Sequence, residues 1–168
     1  MKKAWLGLGA NLHEPAQQLR QALTEIKAVE GVEVLRTSSF YSTPPWGDED
    51  QDDFINAVTQ VETSLDPLAL LHAMQSIEHA MGRQRKGRRW GPRLIDIDLL
   101  LYGDEQLLTD ELELPHPRMH KRAFVLVPLA ELEPGLKIPG QGGIEKLLEQ
   151  LDCSNIHPVG KHVQGSAS

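Results

Sequence analysis

Residues 83–103 read RQRKGRRWGPRLIDIDLLLYG. The first eleven, Arg83 to Arg93, hold five arginines and one lysine, and the run that follows is apolar except for Asp96 and Asp98. Gly87, Gly91 and Pro92 make the basic part a loop, and the apolar part, closed by Gly103, has the length and punctuation of a strand. On a strand side chains alternate, so Asp96 and Asp98 share one face about 6.6–7 Å apart while Ile95, Ile97 and Leu99 point into the core.

Upstream, Asp66-Pro67 reads as an N-cap followed by proline at the first helical position. Leu68, Leu71, Met74, Ile77 and Met81 form the expected apolar stripe, and Gly82 is the expected stop. The helix therefore ends where the basic loop begins. Further back, FINAVTQVET sets Ile55, Ala57, Thr59 and Val61 against Asn56, Val58 and Gln60, and VEVLRTSSFYST is rich in β-branched and aromatic residues. These two strands flank PPWGDEDQDD, whose two prolines, glycine and five acids exclude a continuing strand. At the N-terminus KKAWLGLGANL runs as a strand into a turn. Pro15 then opens a helix carrying Leu19, Ala22, Leu23 and Ile26. A last helical pattern spans about Ala123 to Leu132 and stops before Pro134-Gly135, and the tail HPVGKHVQGSAS reads as frayed. The order is β-α-β-β-α-β with a C-terminal extension. That is the α+β, ferredoxin-like arrangement: a mainly antiparallel sheet with helices packed on it. Fold alone assigns no function.

A chain of 168 residues with 40% hydrophobic content suits one domain, read as 1–160 with a flexible tail at 161–168. The net charge of -7 and pI of about 5.5 argue against nucleic acid or an anionic membrane as partner, so any positive potential is local. The single cysteine, Cys153, cannot pair internally, and neither a leader nor an apolar run near eighteen residues is present. The expected protein is cytoplasmic.

Two carboxylates on one strand face repel each other unless cations compensate them. Hard oxygen ligands suit Mg²⁺, which takes one or two carboxylates, waters and substrate phosphates. Arginine forks beside them suit phosphate oxygens. The same residues also fit a solvated turn next to the exposed face of an edge strand. No G-x-x-x-x-G-K-[ST] loop, kinase-type glycine loop or H-E-x-x-H occurs, and His116 with His120 lacks the further soft ligands of a zinc site. A small RNA-binding domain is disfavoured by charge and by the absence of an RNP-type run, and an ATP sensor would not require both aspartates.

RRWGPRLIDIDLLLYG (88–103), LGLGANL (6–12), SSFYSTPPWG (38–47), DQDDFINA (50–57) and LPHPRMHKRAFVLVPLAE (114–131) together resemble the 6-hydroxymethyl-7,8-dihydropterin pyrophosphokinases of folate biosynthesis. The resemblance runs in order from about residue 4 to 140. It implies transfer of the β,γ-pyrophosphoryl group of ATP to the pterin hydroxymethyl oxygen, with release of AMP, two Mg²⁺ ions and a monomer. It further implies Asp96 and Asp98 as metal ligands, with Arg83 and Arg93 as catalytic arginines. Gln75, Glu78, Arg85, Arg89, His116 and Arg122 match nucleotide positions. Phe54 and Phe124 match the residues that sandwich the pterin, Asn56 the reader of its amide edge, Thr43, Pro44 and Trp46 a supporting loop, and Trp90 a residue closing over the site. Phe54 and Pro117 stand where some relatives have Tyr, so a hydroxyl contact there is lost, and no role is implied after about residue 140. The loops at about 43–53 and 83–93 are expected to be mobile in the free protein and to close when both substrates bind.

Overall fold

The computed structural model describes residues 1–12, 14–44, 53–83 and 95–159, with Arg83 described in its backbone alone. Strand β1 (Lys2–Ala10) leads to helix α1 (Pro15–Lys27), then β2 (Val32–Thr37), β3 (Tyr41–Thr43), β4 (Phe54–Thr63), α2 (Pro67–Arg83) and β5 (Asp96–Tyr102). Two short strands follow, β6 (Leu107–Leu108) and β7 (Glu113–Leu114), then a 3-10 turn (Met119–Lys121) and α3 (Ala123–Leu132). The chain continues through β8 (Lys137–Ile138), β9 (Gly142–Gly143), α4 (Ile144–Glu149) and β10 (His157–Pro158).

The main sheet has the order β10-β3-β4-β1-β5, with β2 also on β4, and every pairing among the described residues is antiparallel. One face packs on α1 and α2: Ala4, Leu6, Leu8, Val61, Ile97 and Leu99 meet Leu19, Ala22, Ile26, Leu70 and Met74. The other face carries Trp5, Val58 and Leu100, covered by Met119, Val125, Leu126, Leu129 and Ile144. Because helices lie on both sides, both alternating sets of β4 are buried, Val58 and Gln60 as well as Ala57 and Val61.

Several expectations are corrected. The stripe of α2 is Leu70, Met74, Ile77 and Met81, while Leu68 is 39% exposed. At 100° per residue Leu68 lies nearly opposite Leu70, so the two cannot share a face. Asp66 does cap the helix, its Oδ1 accepting from the Ala69 N–H at 2.8 Å, but α2 runs one residue past Gly82. VEVLRTSSFYST is two strands, broken at Ser38, whose N–H donates to the Val58 carbonyl at 2.8 Å and whose Oγ accepts from the Val58 N–H at 2.9 Å. The tail is not frayed at His157 and Pro158, which pair with Ser42 and Tyr41.

Polar links tie α3 to the edge of the sheet. The Glu131 carboxylate accepts from the Tyr41 hydroxyl at 2.5 Å and from the Ser39 N–H at 3.0 Å. Burial first, and then that carboxylate, push the Tyr41 hydroxyl far above its ordinary range. The Arg36 guanidinium, 5.5 Å from the centre of the Trp5 ring, donates to Gln60 Oε1, the Leu132 carbonyl and Glu133. Glu131→Ala leaves the buried Tyr41 hydroxyl without its acceptor and lowers unfolding free energy by roughly 2 kcal/mol, to be read from the urea midpoint; an unchanged midpoint contradicts this role.

Candidate active site

The site follows from two missing side chains. Trp5, Gly7 and Gly9 share one face of β1, the strand between β4 and β5, and only Trp5 fills its share of that face. Gly9 is opposite Asn56 on β4 and Asp96 on β5, and Gly7 is opposite Val58 and Asp98. At the ordinary strand spacing Asn56 and Asp96 are thus held about 10 Å apart across a bare strip of backbone. The result is an open cavity of about 940 Å³, with this strip as floor and the 3-10 turn, the start of α3 and the segment after α4 as walls.

Nine of the residues read from the sequence line this cavity: Asp96, Asp98, His116 and Arg122 toward β5, and Thr43, Pro44, Phe54, Asn56 and Phe124 toward β3 and α3. Glu78 reaches β5 from α2, its Oε2 accepting from the Ile97 N–H at 2.7 Å, between the two aspartates. Gln75 is not brought there; it lines a separate shallow depression with His72 and His79. Arg83 is the last residue of α2. Trp46, Arg85, Arg89, Trp90 and Arg93 lie outside the described residues, as do most of the two loops expected to close. Sequence reasoning gave no role to Gly7, Gly9, Lys121, Leu151, Asp152, Asn155 or Ile156, which also line the cavity. The alternation Leu6-Gly7-Leu8-Gly9 was a readable signal, since glycine at every second position leaves one strand face bare. Nothing comparable marks residues 151–156.

Asp96 is exposed and Asp98 half-buried, with Arg122 Nη1 3.9 Å from Asp98 Oδ2. The same guanidinium stands 5.6 Å from the centre of the Phe124 ring, so one cation faces both ends of the cavity. His116 Nδ1 accepts from the Arg118 N–H at 3.1 Å, which leaves its ring proton on Nε2. Burial lowers the imidazole below its ordinary range; Asp98 opposes the shift, and Arg122 and Arg118 add to it. His116 is therefore a neutral donor at neutral pH. At the other end, Asn56 Oδ1 accepts from the Thr43 hydroxyl at 3.1 Å, and both residues are buried.

The donor set fits magnesium. Two carboxylates share an open face, and among the described residues no third His, Cys, Asp or Glu completes a protein-only cage, with His116 and His120 forming no such group. Mg²⁺ retains waters and takes substrate phosphates at its remaining positions.

A sequence profile of the 7,8-dihydro-6-hydroxymethylpterin-pyrophosphokinase family (HPPK) matches residues 5–134. The chain is 48% identical over 159 residues to the 2-amino-4-hydroxy-6-hydroxymethyldihydropteridine pyrophosphokinase of Methylorubrum extorquens, covering 95% of this chain and 99% of that one. It is 45% identical over 151 residues to the enzyme of the same name from Haemophilus influenzae, covering 90% and 94%. Among solved structures it is similar in fold to wild-type Plasmodium falciparum HPPK-DHPS with pteroate, at a TM-score of 0.71 and 17% identity, over 89% of this chain. It spans 42% of that longer chain.

Proposed function

The chain belongs to the 7,8-dihydro-6-hydroxymethylpterin-pyrophosphokinase family, and from that membership we propose how the work of its reaction is divided along the cavity. The chain transfers the pyrophosphoryl group of ATP to 6-hydroxymethyl-7,8-dihydropterin, a step of folate biosynthesis that leaves AMP. The observation that carries the division is the floor itself: the carboxylate pair on β5 and the amide of Asn56 on β4 face one space, separated by the stretch of β1 whose shared face Gly7 and Gly9 leave bare.

Asp96 and Asp98 hold Mg²⁺, and the reading extends to two ions shared with ATP. When bound, the metal neutralises phosphate charge and makes the hydroxymethyl oxygen a better nucleophile. Arg122 and neutral His116 donate to phosphate oxygens beside the aspartates, and Arg83, Arg85, Arg89 and Arg93 supply the remaining positive charge from the basic segment. Glu78 fixes the backbone of Ile97 and so the spacing of the metal ligands; Gln75 belongs to the nucleotide side in this reading. Phe54 and Phe124 take the flat pterin between them, a geometry that ring stacking and apolar burial favour and that needs no hydroxyl at Phe54. Asn56 reads the amide edge: Oδ1 keeps a second lone pair beyond Thr43, and Nδ2 donates. Thr43, Pro44 and Trp46 support that edge, and Trp90 closes over it.

The strand order β5-β1-β4 followed by β2 and β3 supports a ferredoxin-like core, and two core clusters on the faces of one sheet, drawn from described residues between Ala4 and Val159, support one domain over 1–160. No helix among the described residues is long and apolar enough to cross a membrane, which agrees with a cytoplasmic location. A monomer completes the reading. Incubation with Mg²⁺, ATP and the reduced pterin yields AMP in step with pterin pyrophosphate, and chelation of the metal stops both. Formation of ADP, or no turnover, refutes the assignment.

A further inference from the structure

The cavity has a wall that neither the nucleotide nor the pterin residues account for, made by the segment that follows α4 and lies beyond the family-matched residues 5–134. This segment is tied down at both ends. Leu151 packs on the cluster of Leu126, Leu129 and Ile144. Beyond it, His157 and Pro158 pair with Ser42 and Tyr41, and the Val159 N–H donates to the Phe40 carbonyl at 2.8 Å. Between these anchors the chain is turned by its own hydrogen bonds. Asp152 Oδ1 accepts from the Ser154 N–H at 3.0 Å and from its hydroxyl at 2.6 Å, and the Ile156 N–H donates to the Cys153 carbonyl at 3.2 Å. A strap held in this way presents Asn155 and Ile156 to the cavity in a fixed arrangement.

Its place in the sheet decides which substrate it faces. In the order β10-β3-β4-β1-β5 the strap enters at the edge carrying Thr43, while the aspartates lie three strand spacings beyond β3, about 14 Å away. Continuing the antiparallel register of His157 with Ser42 by one residue sets Ile156 against Thr43. Thr43 is the donor that holds the Asn56 amide.

We infer that Ile156 is a positioning residue for the pterin: it covers the Thr43–Asn56 hydrogen bond from the open side of the cavity, and the strap 151–156 closes the pterin end of the site. An apolar cover keeps water from competing for the Thr43 hydroxyl and the Asn56 amide. That competition is what weakens a polar pair at a surface relative to one in a low-dielectric setting. The half-buried Ile156 side chain also adds apolar area beside the ring. Phosphate binding, on the far strands, has no part in this.

The inference rests on the pterin-site assignment above, and its test separates the two. Titration calorimetry of the full chain with the reduced pterin, and separately with a non-hydrolysable ATP analogue and Mg²⁺, gives two dissociation constants per variant. Ile156→Ala weakens the pterin about fivefold, as expected for loss of a partly buried apolar side chain. The dissociation constant of the ATP analogue stays within twofold and the unfolding midpoint stays at the parent's value; Ile156→Val, which keeps the branched cover, stays near the parent. In an Asn56→Ala background the Ile156→Ala change has little further effect, because the hydrogen bond it shields is gone. An unchanged pterin constant in Ile156→Ala overturns the inference. So does an equal weakening of both ligands with a lowered midpoint, which marks a structural role only. A parent chain that releases ADP instead of AMP removes the transfer reaction and leaves the comparison of pterin constants standing.

Discussion

Asp96→Asn and Asp98→Asn each lower turnover by on the order of 100-fold or more, the scale on which removing one charge-stabilising group acts in a preorganised site. The unfolding midpoint of both variants stays close to that of the parent. Asparagine has nearly the volume of aspartate, Asp96 is exposed and Asp98 half-buried, so neither change opens a core cavity. What is lost is one anionic oxygen ligand from a pair that belongs to no metal-holding group of three or more His, Cys, Asp or Glu among the described residues. Asp98→Asn also removes the ion pair at 3.9 Å with Arg122, but a partly exposed pair of that length contributes little, so the loss of rate is a metal effect. The measurement is initial rate against Mg²⁺ concentration at fixed substrates. Both variants need more metal and reach a lower ceiling; near-parental rates at limiting Mg²⁺ refute the ligand assignment.

Gly9→Ala weakens pterin binding by about tenfold, the order expected when a site's buried hydrogen-bonding group is turned away from its ligand. A Cβ at Gly9 comes to 2.7 Å from Asn56 Nδ2, closer than such atoms pack, and to no backbone atom nearer than 4.0 Å. The strand keeps its path, therefore, and the Asn56 side chain gives way, leaving the Thr43 hydroxyl at 3.1 Å that had oriented it. Gly7 is the internal comparison. Its added Cβ meets Leu100 side-chain atoms no nearer than 3.4 Å, an ordinary contact, so Gly7→Ala leaves pterin affinity near the parent's. Calorimetry of the three chains with the pterin settles the matter: equal affinities for Gly9→Ala and the parent mean that Asn56 does not read the ring. The ATP analogue binds all three alike, because the phosphate end of the floor keeps its side chains.

Much of this molecule is local in origin and was therefore readable in the chain. The helix α3 is bounded as expected, at Ala123 and Leu132, because its nearly unbroken apolar run ends where Pro134-Gly135 stops it. Strand β5 follows from the run of β-formers after Pro92, and the period of two in that run put Asp96 and Asp98 on one face before any partner strand was known. Asp66 caps α2 because its carboxylate reaches the N–H three residues on, within a single turn. Each of these is set by interactions among residues a few positions apart, which sequence spacing encodes directly.

What the sequence did not contain is set by residues far apart in the chain. Leu68 reads as core by type, yet only the placement of α2 on the sheet chooses Leu70 for that face. Val58 and Gln60 look like the solvent side of an alternating strand until α3 and its partners cover that side. The segment 151–156 bears no catalytic pattern, and it becomes a wall of the site because β10 pairs with β3 more than a hundred residues away. The bare floor arises in the same way: Gly7 and Gly9 make a gap only because β4 and β5 flank β1 in a register that sets Asn56 and Asp96 on either side of it. By itself the sequence determined helices α1, α2 and α3, strands β1, β4 and β5, the shared face of the two aspartates and the family. Tertiary structure alone decided which faces are buried, how far the metal ligands stand from the pterin reader and what closes the cavity, because register and layer packing are collective and no single stretch of chain carries them.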